Sequence, residues 1–182
     1  AVAAAALLVA AAVLVRGAVP LYGWWYPHAA PATVFVVVLA AAVVLWGPAL
    51  AERLPWRGLL TLGYGTALAW MTGLALVDGW RRGFARRLTT PHEYLHEVDR
   101  VTDIPAMVDV FAERIVAGQP GHWTTHVAGH PPGALLVFVW LDRIGLSGGA
   151  WAAIVCVLAS ALVAVAVPVT LAALGRADAA RA

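Results

Sequence analysis

The chain has 182 residues, 62% of them hydrophobic and 12% charged, with a net charge of +2. Soluble domains run nearer half apolar and a quarter charged, so this chain cannot cover itself with polar surface, and lipid must be part of its solvent. The basic residues are all arginine and the acids nearly balance them, which excludes a nucleic-acid footprint; the single cysteine, Cys156, excludes a disulfide framework and a Cys-rich zinc site.

Residues 1–15 (AVAAAALLVAAAVLV) are apolar throughout. As a helix they rise only about 22 Å against a hydrocarbon core about 30 Å thick, so they predict part of a span, or one that begins earlier. Residues 32–50 and 59–77 are uncharged apolar runs and predict two full spans. Residues 78–132 follow as one long polar stretch. Residues 133–145 are apolar but short, ending in Asp142-Arg143, and predict a short or tilted span. Residues 150–174 predict a last span, kinked at Pro168. Trp24, Trp25, Tyr26, Trp46, Trp56, Trp80 and Trp151 lie near the run ends, where interfacial aromatics belong. The expectation is an all-α, polytopic transmembrane helical protein. It is one transmembrane domain over 1–182, with spans near 1–15, 32–50, 59–77, 133–145 and 150–174, and a large loop, 78–132, containing amphipathic helices.

Within the loop, Thr90-Pro91-His92-Glu93 has the pattern of a helix start: Thr as N-cap, Pro at the first helical position, Glu three after the cap. The helix expected from it covers 91–101. A second is expected over 104–117, with Ile104, Met107, Val108, Phe111 and Ile115 forming one greasy stripe that lies on the bilayer or on the helix tops. His130-Pro131-Pro132-Gly133 opens the next apolar helix.

Four groups in the loop carry chemistry. His92-Glu93-Tyr94-Leu95-His96 matches H-E-x-x-H, in which two His one turn apart bind zinc and Glu activates water, with His122, His126 or His130 as third ligand. Glu93 is alternatively an acid or base beside the membrane, or simply the partner of Thr90 in a capping box. His130 precedes a helix start, where free N–H groups from Gly133 onward suit phosphate. Arg81, Arg82, Arg86 and Arg87 flank a span, where arginines meet headgroups, and would also gather an anionic lipid substrate.

In order, the span at 59–77, the His92-Glu93-Tyr94 acidic motif, the His122-Trp123 stretch, His130-Pro131-Pro132 and Gly145-Leu146-Ser147 resemble the front part of the GT-C membrane glycosyltransferases. The likeness is to the protein O-mannosyltransferase and aminoarabinose transferase group and related actinobacterial proteins, over residues 59–175. The resemblance implies a bacterial plasma-membrane, multi-pass protein, the front part of a longer chain. It would move a hexosyl or pentosyl group from a polyprenyl-phosphate sugar donor to an extracytoplasmic hydroxyl, among membrane lipids and without nucleic acid. Glu93 would be the base, and Tyr94, His130 and Gly133 would bind substrate. The family has metal-dependent and metal-free members; with a divalent metal, His92 and His96 would be ligands. The sequence departs from the family pattern in having His-Glu where Asp-Glu is usual. Two other readings stand beside it: a zinc-dependent membrane hydrolase using 92–96, and a non-catalytic membrane subunit. The arginine count near 78 favours a cytoplasmic loop, whereas the family order places the loop outside.

Overall fold

The computed structural model describes residues 28–176 and 178–181. The span expected at 1–15 falls outside the described residues. Among them there are helices and turns but no strand.

Helix α1 covers Pro31–Arg53 and α2 covers Trp56–Val77. Pro31 supplies the preset φ of a first helical residue, and Thr33 turns its hydroxyl back to accept the Ala30 N–H at 3.0 Å. Each helix is apolar on every side: Val36 is the buried residue of α1 and Gly73 that of α2. Val34, Val38, Val44, Leu45 and Trp46 are all more than half exposed. A helix greasy all round and uncovered belongs in lipid. α1 and α2 cross where Gly73 admits Val36 and Phe35; a Cβ there would stand 2.8 Å from Val36 Cγ2.

At the chain's other end, α7 (Gly149–Ala161) and α8 (Val163–Ala173) together make 25 apolar residues. With α1 and α2 they are the three helices long and apolar enough to cross a membrane. Both pack on α2: the Tyr64 hydroxyl donates to the Leu158 carbonyl at 3.2 Å, and Gly63 lies against Ala164. The interruption falls at Leu162, one turn and more before the expected kink. Pro168 has no N–H to offer the carbonyl of Ala164, so the turn before it loses a ladder bond.

Residues 78–148 lie together at one end of these helices. A π-helical turn, Trp80–Ala85, and a 3-10 turn, Arg87–Thr89, lead from α2. The short helices α3 (Leu95–Val98), α4 (Ile104–Asp109) and α5 (Thr125–Ala128) follow, with a 3-10 turn at Ala112–Arg114, and then α6 (Pro132–Arg143). Their core is Val98, Met107, Phe111, Trp123, Leu135 and Phe138 with their neighbours. Trp123 is sealed at 1% exposure, its indole N–H donating to the Phe111 carbonyl at 2.9 Å.

Three expectations change here. The helix foreseen over 91–101 reduces to Leu95–Val98: on both sides of it the backbone closes i→i+3 turns, as from Glu93 N–H to the Thr90 carbonyl and from Val101 N–H to the Val98 carbonyl, and the His92 carbonyl is taken by the His126 N–H of the returning chain. The helix foreseen over 104–117 stops at Asp109 and resumes as a 3-10 turn. Phe111 gives its carbonyl to Trp123, and its stripe divides: Met107 and Phe111 go inward, Val108 and Ile115 outward. Residues 133–145 form α6, a 12-residue helix. It rises about 18 Å, too little for a bilayer core of about 30 Å. It buries Leu135, Phe138 and Val139 against the polar segment instead. Gly145, at φ 83°, ends it, with Leu146 N–H closing on the Leu141 carbonyl at 2.8 Å.

Candidate functional site

The segment after α2 is gripped from both sides. A Cβ on Gly83 would fall 1.8 Å from the Ala75 carbonyl of α2, and one on Gly149 would fall 1.9 Å from the Ala85 carbonyl. Only glycine permits backbone to lie on backbone so closely. The turns so fixed project Arg81, Arg82, Arg86 and Arg87. These four line one cleft of about 740 Å³ with Thr89, Thr90, Pro91 and Glu93. Asp78, which closes α2, accepts Arg87 Nη2 at 2.8 Å on one oxygen and meets His28 Nε2 at 2.9 Å on the other. The starts of α1 and of the arginine ledge are thereby tied to the end of α2.

Glu93 stands at the cleft with its side chain 18% exposed. Its Oε2 lies 2.8 Å from His126 Nδ1, and among the described residues its Oε1 takes no hydrogen bond. Thr90 does not hold the carboxylate; the contact between the two residues is the backbone bond from Glu93 N–H to the Thr90 carbonyl, 3.0 Å. His126 also donates its own N–H to the His92 carbonyl at 3.2 Å. One turn on, His130 Nδ1 sits 2.8 Å from the His126 carbonyl, and its ring lies 6.1 Å from that of Tyr94. Tyr94 in turn packs on Phe138 at 5.4 Å. Burial, and then the Glu93 carboxylate, push the Tyr94 phenol above its usual value, so Tyr94 is a neutral hydroxyl at physiological pH.

Glu93, Tyr94 and His130 therefore gather around His126. Gly133 stands apart, exposed in the first turn of α6 and lining neither cavity named here. His92 precedes α3 whereas His96 lies within it, so the two do not share one helical turn as a zinc helix requires. His96 lines a second cavity of about 500 Å³ with Asp99, Asp142 and Ser147. Among the described residues no three His, Cys, Asp or Glu side chains converge to hold a metal. The donor set thus fits a metal poorly.

Sequence reasoning named His126 only as one of three interchangeable histidines. Its pairing with Glu93 spans 33 positions and follows from the return of the chain after Trp123. By sequence Glu97 is next in line to Glu93 as the loop acid. It is wholly buried, with Arg100 Nη1 at 2.9 and 3.1 Å and the Thr124 N–H at 2.9 Å. Arg114 lies over the Trp123 ring at 3.5 Å. Burial, and then Arg100, hold its guanidinium below the usual range while Glu97 acts in the opposite sense. No family model matches this chain, and neither a curated protein nor a solved structure matches it.

Proposed function

We propose that this protein is a polytopic membrane glycosyltransferase of the GT-C kind, moving a sugar from a polyprenyl-phosphate donor to an acceptor hydroxyl. The observation that carries the reading is the placing of Glu93 on the same cleft as four arginines, beside helices fit to cross a membrane. Arginine presents planar, permanently charged forks that suit phosphate oxygens. A carboxylate beside such a site meets both needs of the transfer. Glu93 takes the proton of the acceptor O–H, the oxygen forms a bond to the anomeric carbon, and the anomeric C–O bond to phosphate breaks. Polyprenyl phosphate leaves with the electron pair, its growing charge met by the arginines. His126 orients the carboxylate; Tyr94 and His130, the expected substrate-binding residues, lie near it and outside the cleft lining.

The large loop, 78–132, faces the extracytoplasmic side in this reading. Its four arginines near the span do not argue against that as strongly as a count along the sequence suggests. Arg181 Nη1 donates to the carbonyls of Ala51 and Leu54 at 2.9 and 3.0 Å, which brings the chain after α8 to the end that holds Arg53 and Arg57. With Arg176 and Arg181 added, that end carries four arginines against five near the spans on the loop side, Arg81, Arg82, Arg86, Arg87 and Arg143, so the positive-inside bias narrows.

The deciding experiment is transfer of labelled sugar from a polyprenyl-phosphate donor in vesicles holding the full chain. Transfer that Glu93→Gln removes supports the reading. Retention of the donor lipid by the arginines with no transfer would make the protein a lipid-binding membrane subunit instead. Cysteine labelling at Gln119, after replacing Cys156, reports the side: labelling only in opened vesicles places the loop inside.

A further inference from the structure

Glu97 is the charged side chain wholly buried among the described residues, and the proposed reaction gives it no part. A buried carboxylate is costly unless paired and hydrogen-bonded, and an apolar side chain of like size would fill the same space as well or better. Its partners show what the charge accomplishes. Arg100 neutralises it from the rim, and its remaining bond goes to the N–H of Thr124, at the start of α5. Thr124 lies two residues before His126 and directly after Trp123, whose ring is held by Phe111 and Arg114.

The segments 92–97 and 124–126 therefore meet at three points: His126 N–H on the His92 carbonyl, His126 Nδ1 on Glu93, and Thr124 N–H on Glu97. The first two lie at the exposed side, where His126 is 48% open. The third is half-buried, ends on a wholly buried carboxylate and is charge-assisted, the stronger kind. We propose that Glu97 is a positioning residue that, through the Thr124 N–H, holds His126 against Glu93 and so sets the carboxylate at the arginine cleft. The positioning is read from geometry alone; its bearing on turnover rests on the transferase reading.

Two variants test it. Thr124→Pro deletes the backbone N–H that Glu97 accepts and leaves the Arg100 bonds, at a residue whose φ of −57° already suits proline. Glu97→Gln keeps the size and removes the charge. The readout is the rate at which diethylpyrocarbonate modifies His126 in the full chain, resolved by mass spectrometry, with exposed His122 as internal reference. Both variants are expected to raise the His126 rate severalfold and leave His122 unchanged. In a Glu93→Ala background neither should add anything, because the pairing they maintain is already gone. In the transfer assay kcat should fall about tenfold to a hundredfold with KM kept, the scale of a misplaced catalytic group. An unchanged His126 rate in a Thr124→Pro protein that melts like the parent overturns the proposal. So does a parallel rise at His122, which marks general loosening. Selective exposure of His126 in a protein whose parent transfers no sugar upholds the positioning and removes the transferase reading.

Discussion

The three long apolar helices and the polar segment between them invert the usual relation of hydrophobicity to burial. α1 and α2 are the greasy parts, yet each buries one residue. The segment 78–148 carries most of the charge, yet it holds the largest sealed side chains: Trp123, Val127, Leu135, Val139 and Glu97. In the helices the apolar side chains form segments long and greasy enough to stand in lipid, where they need no cover. In the polar segment the same hydrophobic effect gathers scattered residues under a charged surface, as in a soluble domain. One chain thus solves two packing problems, and the candidate chemistry sits at their seam.

The sharpest way to break that comparison is at Glu93. Glu93→Gln keeps the size of the side chain and a hydrogen bond to His126 but cannot take a proton. Transfer is expected to drop about a hundredfold or more, the scale of a lost general base, with thermal stability nearly kept. Unchanged turnover would make the polar segment a scaffold only.

Next comes the seam itself. Gly149→Ala and Gly83→Ala each force a Cβ into a neighbouring backbone carbonyl, and thermal unfolding in detergent should show a loss of about 1–3 kcal/mol, as for overpacking elsewhere. Gly133→Ala meets open space and serves as the unaffected control. If all three melt alike, the polar segment is not locked to the helices.

A smaller effect concerns Tyr94. Its raised phenol pKa means that the folded protein holds this proton more tightly than the unfolded one. The stability so gained is complete below the ordinary tyrosine value and is lost as pH rises through the raised folded value. Glu93→Gln removes the second cause and should move the ionisation down toward the ordinary range, read at 295 nm as the difference from a Tyr94→Phe sample. No movement would place the carboxylate away from the ring.

Smallest of all is Thr90→Ala. The carboxylate expected to bond back to Thr90 is at His126, so the change should stay within about 0.5 kcal/mol by thermal melt. A loss near 1 kcal/mol, the worth of a real N-cap, would restore the capping box.

The parts legible in the sequence were those governed by local pattern. The apolar runs at 32–50, 59–77 and 150–174 became helices within a few residues of their expected ends, because composition alone sets a greasy helix. The helix expected from residue 104 begins there, capped by Asp103, which accepts the Ala106 N–H at 3.0 Å. The pattern failed where partners lie far apart. The Thr90–Glu93 spacing matches a capping box, but His126 competes for the carboxylate from 33 positions away. The stripe from Ile104 to Ile115 has helical spacing, but Trp123 takes the Phe111 carbonyl that a longer helix would use. The four arginines read as flanking charge because nothing local shows that a π-helical turn points them into one cleft.

The glycine contacts at residues 83 and 149 also have a mechanical consequence. α1, α2 and the α7–α8 pair are 23, 22 and 25 residues long, about 33–38 Å of rise against a hydrocarbon core of about 30 Å, and such excess is taken up by tilting. Where side chains separate two elements, rotamer changes absorb part of a tilt; where main chain rests on main chain they do not. A change in the inclination of α2 or α7 is therefore expected to reach the arginine ledge with little damping. Retention of an anionic lipid should vary with the acyl-chain length of the surrounding bilayer, and equal retention from thin to thick membranes would show that the ledge is insulated from the helices beneath it.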